Sequence, residues 1–280
     1  MSYITAYYYP IIFQTNAGNF TVAQVYEYES GRVKKVYDGD SFQLSDGSSV
    51  RLFGINTPEK GEPGSDEAKE TLSGIIGNKD VYFETHKIDG YHRKVASVYI
   101  MRDGEMVDAS ELMVKIGKAH VFWFNNSKPQ LLAKYLTLQN EARRRQYGIW
   151  DLPSFRRELH ITSFHANGRG NDALDPNVEY FRLANISDRN INLGGYKVVD
   201  CESKKAYPLP AMDLPAGWTV SVRSGTGQNQ TNIRRGELYI HLGSKTELWK
   251  DSGAKIIIVY GTGKVIDSKA SNNSFVCAAP

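Results

Sequence analysis

The sequence predicts two domains: an α+β unit compatible with a small five-stranded barrel plus packed helices, then an all-β sandwich. Three observations predict this. A chain of 280 residues is longer than one small domain needs. The first half reads as strands, a helix, more strands and then helices. Beyond residue 158 the pattern changes to short alternating runs separated by turn residues, with no helical period. An apolar content of 41% allows sizeable cores in both halves. For the first half, pattern alone leaves other α+β folds open.

Residues 1–30 contain no Lys or Arg, and Pro10 interrupts the apolar run ITAYYYPIIF, which argues against a signal peptide. NAGNFTVAQVYEY alternates like a strand, so this extension reads as an extra strand pair or a poorly ordered segment. Val36, Phe42 and Leu44, then Val50, Leu52, Phe53 and Ile55, supply the apolar positions of a strand pair. Asp46-Gly47 tolerates positive φ and makes the hairpin between them. Thr57-Pro58 ends the second strand, because proline cannot donate to a ladder. KGEPGS is a loop, with Ser65 as an N-cap. Asp66 and Glu67 suit the positive helix end, Ala68, Leu72, Ile75 and Ile76 give its period, and Gly77 stops it. VYFET (81–85) and KVASVYI (94–100) are strands, followed by a turn at Arg102-Asp103-Gly104. Val107 to Ile116 reads as a helix closed by Gly117. A longer amphipathic helix follows Pro129, with Leu131, Leu132, Tyr135, Leu136 and Leu138, and stops at Tyr147-Gly148.

Several function classes are excluded. The two cysteines, Cys201 and Cys277, rule out a cysteine-rich zinc site, and they are compatible with one bridge or two thiols. Six scattered histidines show no metal spacing, and no Ser-His-Asp grammar, P-loop or HExxH occurs. No apolar run approaches membrane-spanning length. A net charge of +3 is too mild to argue for nucleic acid by itself.

The chemistry concentrates in residues 37–59, YDGDSFQLSDGSSVRLFGINTPE. Asp38, Asp40, Glu59, Arg51 and the amide of Asn56 are delivered at adjacent strand ends. Hard cations prefer such oxygens, and phosphate prefers the arginine fork. Together with DGYHRKVASVYI, LMVKIGKAHV and the closing YGIW, this stretch resembles the thermonuclease (staphylococcal nuclease-like) family over roughly Gly31 to Trp150.

The resemblance implies an OB-fold barrel and calcium-dependent hydrolysis of phosphodiester bonds in DNA, and RNA as well, with little sequence preference. It places Asp40, Asn56 and the Thr57 carbonyl at a Ca2+ ion, Glu59 at the attacking water, and Arg51 and Arg93 on phosphate. Asn56 departs from the family's usual aspartate, which costs the site one negative charge. That favours an alternative reading, a catalytically weakened nucleic-acid or protein-binding module. Asp38 reads as a turn former or supporting partner. Tyr91 could hydrogen-bond phosphate or flank a base. Trp123, within HVFWFNN, could stack a base or belong to the core. His92 matches no catalytic position and reads as a turn residue. Arg143–Arg145 could touch phosphate or answer the helix dipole.

The second half, through EYFRLANIS, NINLGGYKVVD, YPLPAMDLPAGWTVSVRSGTG and LWKDSGAKIIIVYGTGKVIDS, resembles the lamin-tail domain. This implies the immunoglobulin-like sandwich, a domain found attached to hydrolases including nucleases. Glu179, Asp200 and Asp251 are expected as surface charges, and Trp218 and Trp249 as core or strand-end residues. Targeting, contact with a protein partner and added nucleic-acid grip are the roles open to it. The expected boundaries are an extension at 1–30, the barrel at 31–151, a linker at 152–157, the sandwich at 158–270 and a loose tail at 271–280. Related nucleases are commonly exported, but no leader is legible here, so the compartment stays open.

Overall fold

A computed structural model describes residues 28–125, 127–167, 175–250 and 252–272. The expected strand pair near the N-terminus, Asp251, Cys277 and the tail beyond residue 272 lie outside these. Strands β1 (Glu29–Val36), β2 (Ser41–Leu44), β3 (Ser49–Leu52), β5 (Asp80–Ile88), β6 (Lys94–Arg102) and β7 (Glu105–Asp108) form one sheet in the order β3-β2-β1-β5-β6-β7. β3 also pairs in parallel with β6, Val50 opposite Lys94 and Leu52 opposite Ala96, which closes five strands into a barrel. Closure satisfies both edges that an open sheet would expose. The alternation read from sequence sets the inside, since Val50 and Leu52 are buried while Arg51 between them is not. The short strands β4 (Ile55–Asn56) and β8 (His120–Val121) pair beside the barrel.

Three helices pack on it: α1 (Ser65–Ile76), α2 (Ala109–Lys115) and α3 (Pro129–Arg144). Ser65 is the first helical residue of α1 rather than its cap, because Gly64, in the left-handed conformation, occupies the capping position without a side-chain bond. α2 is shorter than its periodicity suggests. Val107 and Asp108 belong to β7, and the Asp108 carboxylate accepts from the N–H groups of Ser110 and Glu111, fixing the helix start there.

The second half is a sandwich of two four-stranded sheets. One holds β9 (Leu159–His165), β10 (Tyr180–Asn185), β15 (Thr219–Gly225) and β16 (Leu238–Ser244) in the order β16-β15-β10-β9. After β11 (Ile191–Asn192), β12 (Tyr196–Asp200), β13 (Ala206–Pro208) and β14 (Asp213–Leu214), the chain adds β17 (Lys255–Tyr260) and β18 (Lys264–Ala270). The second sheet runs β13-β12-β17-β18, and β11 pairs with β14. Trp218 and Trp249 are core residues. Glu179 is not the expected surface charge: it is fully buried and accepts from the backbone N–H of Leu248 at 2.8 Å and of Trp249 at 2.9 Å. Asp200 is buried too, and its carboxylate holds the Ser203 turn. Cys201 is buried and disulfide-bonded.

Barrel and sandwich share one continuous apolar core. At the seam the Trp123 N–H donates to the Gly217 carbonyl at 3.1 Å, and the Thr219 N–H donates to the Trp123 carbonyl at 2.8 Å. Gly217 is required here, because its φ is +74° and a Cβ would lie 2.8 Å from Val121. Gln139 of α3 accepts from the Val121 N–H at 2.7 Å and donates to the Ile186 carbonyl at 3.3 Å, tying helix, barrel and sandwich together.

Candidate active site

A cleft of roughly 1420 Å³ lies between the two halves, and Asp38, Asp40, Arg51, Asn56, Thr57, Glu59, Tyr91 and Arg93 all line it. The DGD turn is held by its own side chain, the Asp38 carboxylate accepting from the Asp40 N–H at 3.0 Å. That directs the buried Asp40 carboxylate inward, where one oxygen accepts from the Ser41 hydroxyl at 2.8 Å and from Arg51. Its other oxygen accepts from the Thr57 N–H at 3.3 Å. Arg51 reaches further, donating through Nη2 to Asn56 Oδ1 at 2.9 Å and to the Ile55 carbonyl at 3.3 Å.

Arg93 joins the same network. Its guanidinium is ion-paired with Asp89 at 2.8 Å and donates to the Ser41 hydroxyl at 3.1 Å. It lies 5.2 Å from the centre of the exposed Tyr91 ring. His92 has φ +62° in this turn, the conformation of a turn residue. Arg143, Arg144 and Arg145 do not line the cleft. Arg144 and Arg145 bond within their own helix, Arg145 pairing with Glu141 at 2.8 Å.

The electrostatics are those of crowded acids around one guanidinium. Burial, and then the Asp40 charge, push the Asp38 carboxyl up to about 6. Glu59 stands at the solvent-facing mouth of the cleft, where partial desolvation and then Asp40 raise it above the usual carboxylate range. Burial alone would lower the Arg51 guanidinium; Asp40, by charge and hydrogen bond, with Glu59 and Asp38 behind it, more than offsets this and keeps it protonated.

Do these residues suit a cation? Mutual repulsion among Asp38, Asp40 and Glu59 is the kind a divalent ion relieves, and Asp40 and the Thr57 carbonyl are hard oxygen donors. Asn56 is committed elsewhere: its Oδ1 accepts from Arg51, and its Nδ2 donates to the Thr57 carbonyl at 3.0 Å. Among the described residues no group of three or more His, Cys, Asp or Glu side chains is arranged to hold a metal. The donor set therefore fits a weakly held hard ion, with the Asn56 amide turned from its present bonds.

Trp123 does not offer itself to a base. It is 2% exposed and packs edge-on against Phe53 and Tyr135, so the core alternative holds for it. Its neighbours take the cleft position instead. Phe122 lies under the Arg51 guanidinium at 5.7 Å, and Phe124 packs edge-on against Phe122 at 4.6 Å. Period-two alternation through HVFWFNN would have found them, since burying Val121 and Trp123 turns residues 122 and 124 the other way. Ser41, which bridges Asp40 and Arg93, carries no sequence signal. Nor does Lys269 of β18, which pairs with Glu62 and donates to the Thr162 carbonyl at 3.0 Å. Glu62 in turn accepts from the Glu59 N–H at 2.8 Å, so the second half holds the loop that carries Glu59.

Residues 49–152 match the family described as Staphylococcal nuclease homologue, and residues 153–272 match the Lamin Tail Domain. The chain carries a staphylococcal nuclease homologue domain followed by a lamin tail domain. The nuclease homologue domain is similar to the "Probable endonuclease LCL3" of Komagataella phaffii, 32% identical over 112 residues, covering 37% of this chain and 49% of that protein. It is similar to the protein of the same name from Clavispora lusitaniae, 30% identical over 132 residues, covering 44% of this chain and 57% of that protein. An "Uncharacterized endonuclease" of Haemophilus influenzae is 32% identical over 123 residues, 42% of this chain and 65% of that protein. The chain thus spans about half the length of the first two relatives it matches. The Asp40, Arg51, Asn56, Glu59 and Arg93 cluster lies in or just before the matched nuclease homologue segment, and the lamin tail domain forms the facing wall of the cleft.

Proposed function

We propose that this chain is a nuclease that hydrolyses phosphodiester bonds in DNA, with RNA as a second substrate class and little sequence preference. One observation carries the reading. Two guanidiniums, Arg51 and Arg93, are joined through Asp40 and the Ser41 hydroxyl in one hydrogen-bonded row beside a raised carboxyl, Glu59. Two arginine forks facing one cleft match the oxygens of a phosphodiester and offset the charge that grows as the phosphorus becomes five-coordinate. Glu59, more basic than an ordinary glutamate, takes a proton from the attacking water as its oxygen bonds to phosphorus; the opposite P–O bond breaks, and the leaving oxygen takes a proton from solvent. Names of the relatives point the same way.

A calcium ion held by Asp40, Asn56 and the Thr57 carbonyl would supply further stabilisation of the equatorial charge. For this chain's own residues, Asp40 aims Arg51, Asp89 and Ser41 aim Arg93, and Glu62 with Lys269 fixes the Glu59 loop.

The bonds of Asn56 to Arg51 and Thr57 favour a second reading, a binding module with weakened catalysis. Hydrolysis of DNA with added calcium, against a chelated control and against Glu59→Ala, decides between them. Calcium-stimulated cleavage lost in Glu59→Ala supports the nuclease; binding without cleavage supports the module.

A further inference from the structure

The sheet β16-β15-β10-β9 of the lamin tail domain turns one face to its own core and the other to the cleft. The register fixes which residues face out. Tyr180 pairs with His165 on one side and Arg223 on the other, and Arg182 pairs with Ser163 and Ser221. Ser221 in turn pairs with Tyr239. With a period of two these side chains share a face, and the intervening Phe164, Phe181, Val222 and Ile240 are buried. Tyr180, Arg182, Arg223 and Tyr239 all line the cleft that holds Arg51 and Glu59.

Each arginine on this face lies over a tyrosine, Arg182 over Tyr180 at 4.9 Å and Arg223 over Tyr239 at 4.5 Å. Arg182 is also 6.0 Å from the Phe124 ring, and Phe124 touches Phe122, which lies under Arg51. Rings and guanidiniums therefore run from the candidate active site onto the lamin tail sheet in the order Arg51, Phe122, Phe124, Arg182 and Tyr180. Neither Arg182 nor Arg223 has a carboxylate partner at ion-pair distance among the described residues. The carboxylate on this face, Glu237, is taken by Lys87 at 3.1 Å and by the Tyr239 hydroxyl at 2.7 Å.

We propose that this face of the lamin tail domain binds single-stranded nucleic acid and extends the candidate active site into one track. The inference rests on the nuclease reading for its direction, though not for its chemistry. A guanidinium stacked on a ring turns its N–H edge outward, and that edge fits phosphate oxygens; on Arg182 one donor, Nη1, reaches the Ser163 hydroxyl at 3.3 Å and the others remain for a ligand. Partly exposed rings offer plates for unstacked bases, which a single strand has and a duplex does not. Burial and Arg182 push His165 down to about 4, so its ring, stacked on Tyr180 at 4.5 Å, is neutral and adds a plate rather than a charge.

The test uses the full chain, with a chelator present so that nothing is cleaved. Fluorescence anisotropy reads the affinity for oligothymidylate and oligouridylate of about 12 nucleotides, and for a duplex of equal length. The Arg182→Gln/Arg223→Gln variant is expected to bind the single strand about tenfold more weakly. Its log-affinity should fall less steeply with log salt, by about 0.7 for each arginine removed. Tyr239→Ser is expected to lose about tenfold. Arg156→Gln, at an exposed arginine outside the cleft, serves as control, and thermal unfolding verifies that every variant folds. Unchanged single-strand affinity in the folded Arg182 and Arg223 variant overturns the proposal, as does tighter binding of the duplex. Because binding is read without turnover, the two readings fail separately. Cleavage with unaltered oligonucleotide affinity removes the lamin tail track alone, and arginine-dependent binding without cleavage in calcium removes the nuclease alone.

Discussion

Arg51 donates through Nη2 to Asn56 Oδ1 at 2.9 Å, so the protein's own cation is bound to the oxygen that the family resemblance assigns to a metal ion. The contact places Asn56 beside the charged centre and also withholds its carbonyl from any ion. Asn56→Asp adds a carboxylate at this spot. Calcium affinity, measured by titration calorimetry, is expected to rise about tenfold, with a parallel gain in cleavage at limiting calcium. Unchanged affinity would remove position 56 from the ion.

Glu59 is held by a loop whose backbone bonds to Glu62, and its carboxyl is raised by desolvation and by Asp40. Glu59→Ala is expected to lower turnover by about a hundredfold to ten-thousandfold while affinity for a nucleotide inhibitor changes little. Activity of the unaltered chain should climb with pH as Glu59 ionises, with the rise centred above the usual glutamate value. A steady-state pH series compares both chains.

Asp38 carries a folded-state value of about 6 against 3.8 for the free side chain, because of burial and Asp40. A carboxyl raised in this way weakens the fold wherever both states are ionised, above about pH 6. The penalty fades as pH falls from there toward 3.8. Without divalent ions, Asp38→Asn is therefore expected to stabilise the chain by about 2 kcal/mol near pH 7. Denaturant melts should show that gain shrinking toward zero by about pH 4.

His120 works in the opposite sense. Burial and then His160 push it down to about 3, and its Nε2 is buried with no hydrogen-bond partner among the described residues. The unfolded chain takes up this proton near 6.5, so its neutral form contributes stability that is lost as pH falls from there toward 3. The slope is at most about 1.4 kcal/mol per pH unit. His120→Phe should flatten the acid limb of the stability profile, as read by thermal unfolding across that range.

Gln139 joins the two domains by bonds to Val121 and Ile186. Gln139→Ala would leave a buried N–H and a buried carbonyl unpaired, at a cost of about 2–4 kcal/mol. Calorimetry should show a lowered transition, broadened or split as the domains uncouple. A single unshifted transition would mean that the apolar seam suffices.

Much of the candidate site is legible in the sequence because its residues are close in the chain. Asp38, Asp40, Arg51, Asn56, Thr57 and Glu59 fall within one strand-turn-strand segment, and a hairpin with Asp46-Gly47 brings its ends together wherever the rest of the chain goes. Arg93 is further off in sequence but immediately precedes β6, the strand that pairs with β3. Local signals failed where tertiary contacts outweighed them. Of the helix expected from Val107, only the first two residues, Val107 and Asp108, went to a strand, because β7 pairs with β6, and Glu179, polar enough for a surface, is buried because two backbone N–H groups meet it there.

The amino-acid sequence by itself determined the two-domain plan, the α+β pattern of the first half, the all-β pattern of the second, and the set of acids and arginines on which a nuclease reading depends; the barrel followed from the family resemblance. Alternation and turn chemistry act over a few residues, and those features are written at that range. The tertiary structure alone decided which face of the HVFWFNN alternation turns inward, burying Trp123 and leaving Phe122 and Phe124 to the cleft. It also decided that Asn56 is engaged by Arg51, and that Lys269, Arg182 and Arg223 of the lamin tail domain stand across from Glu59. Each of these depends on contacts between residues far apart in the chain, set by how a shared core buries its apolar surface, and no local pattern encodes that.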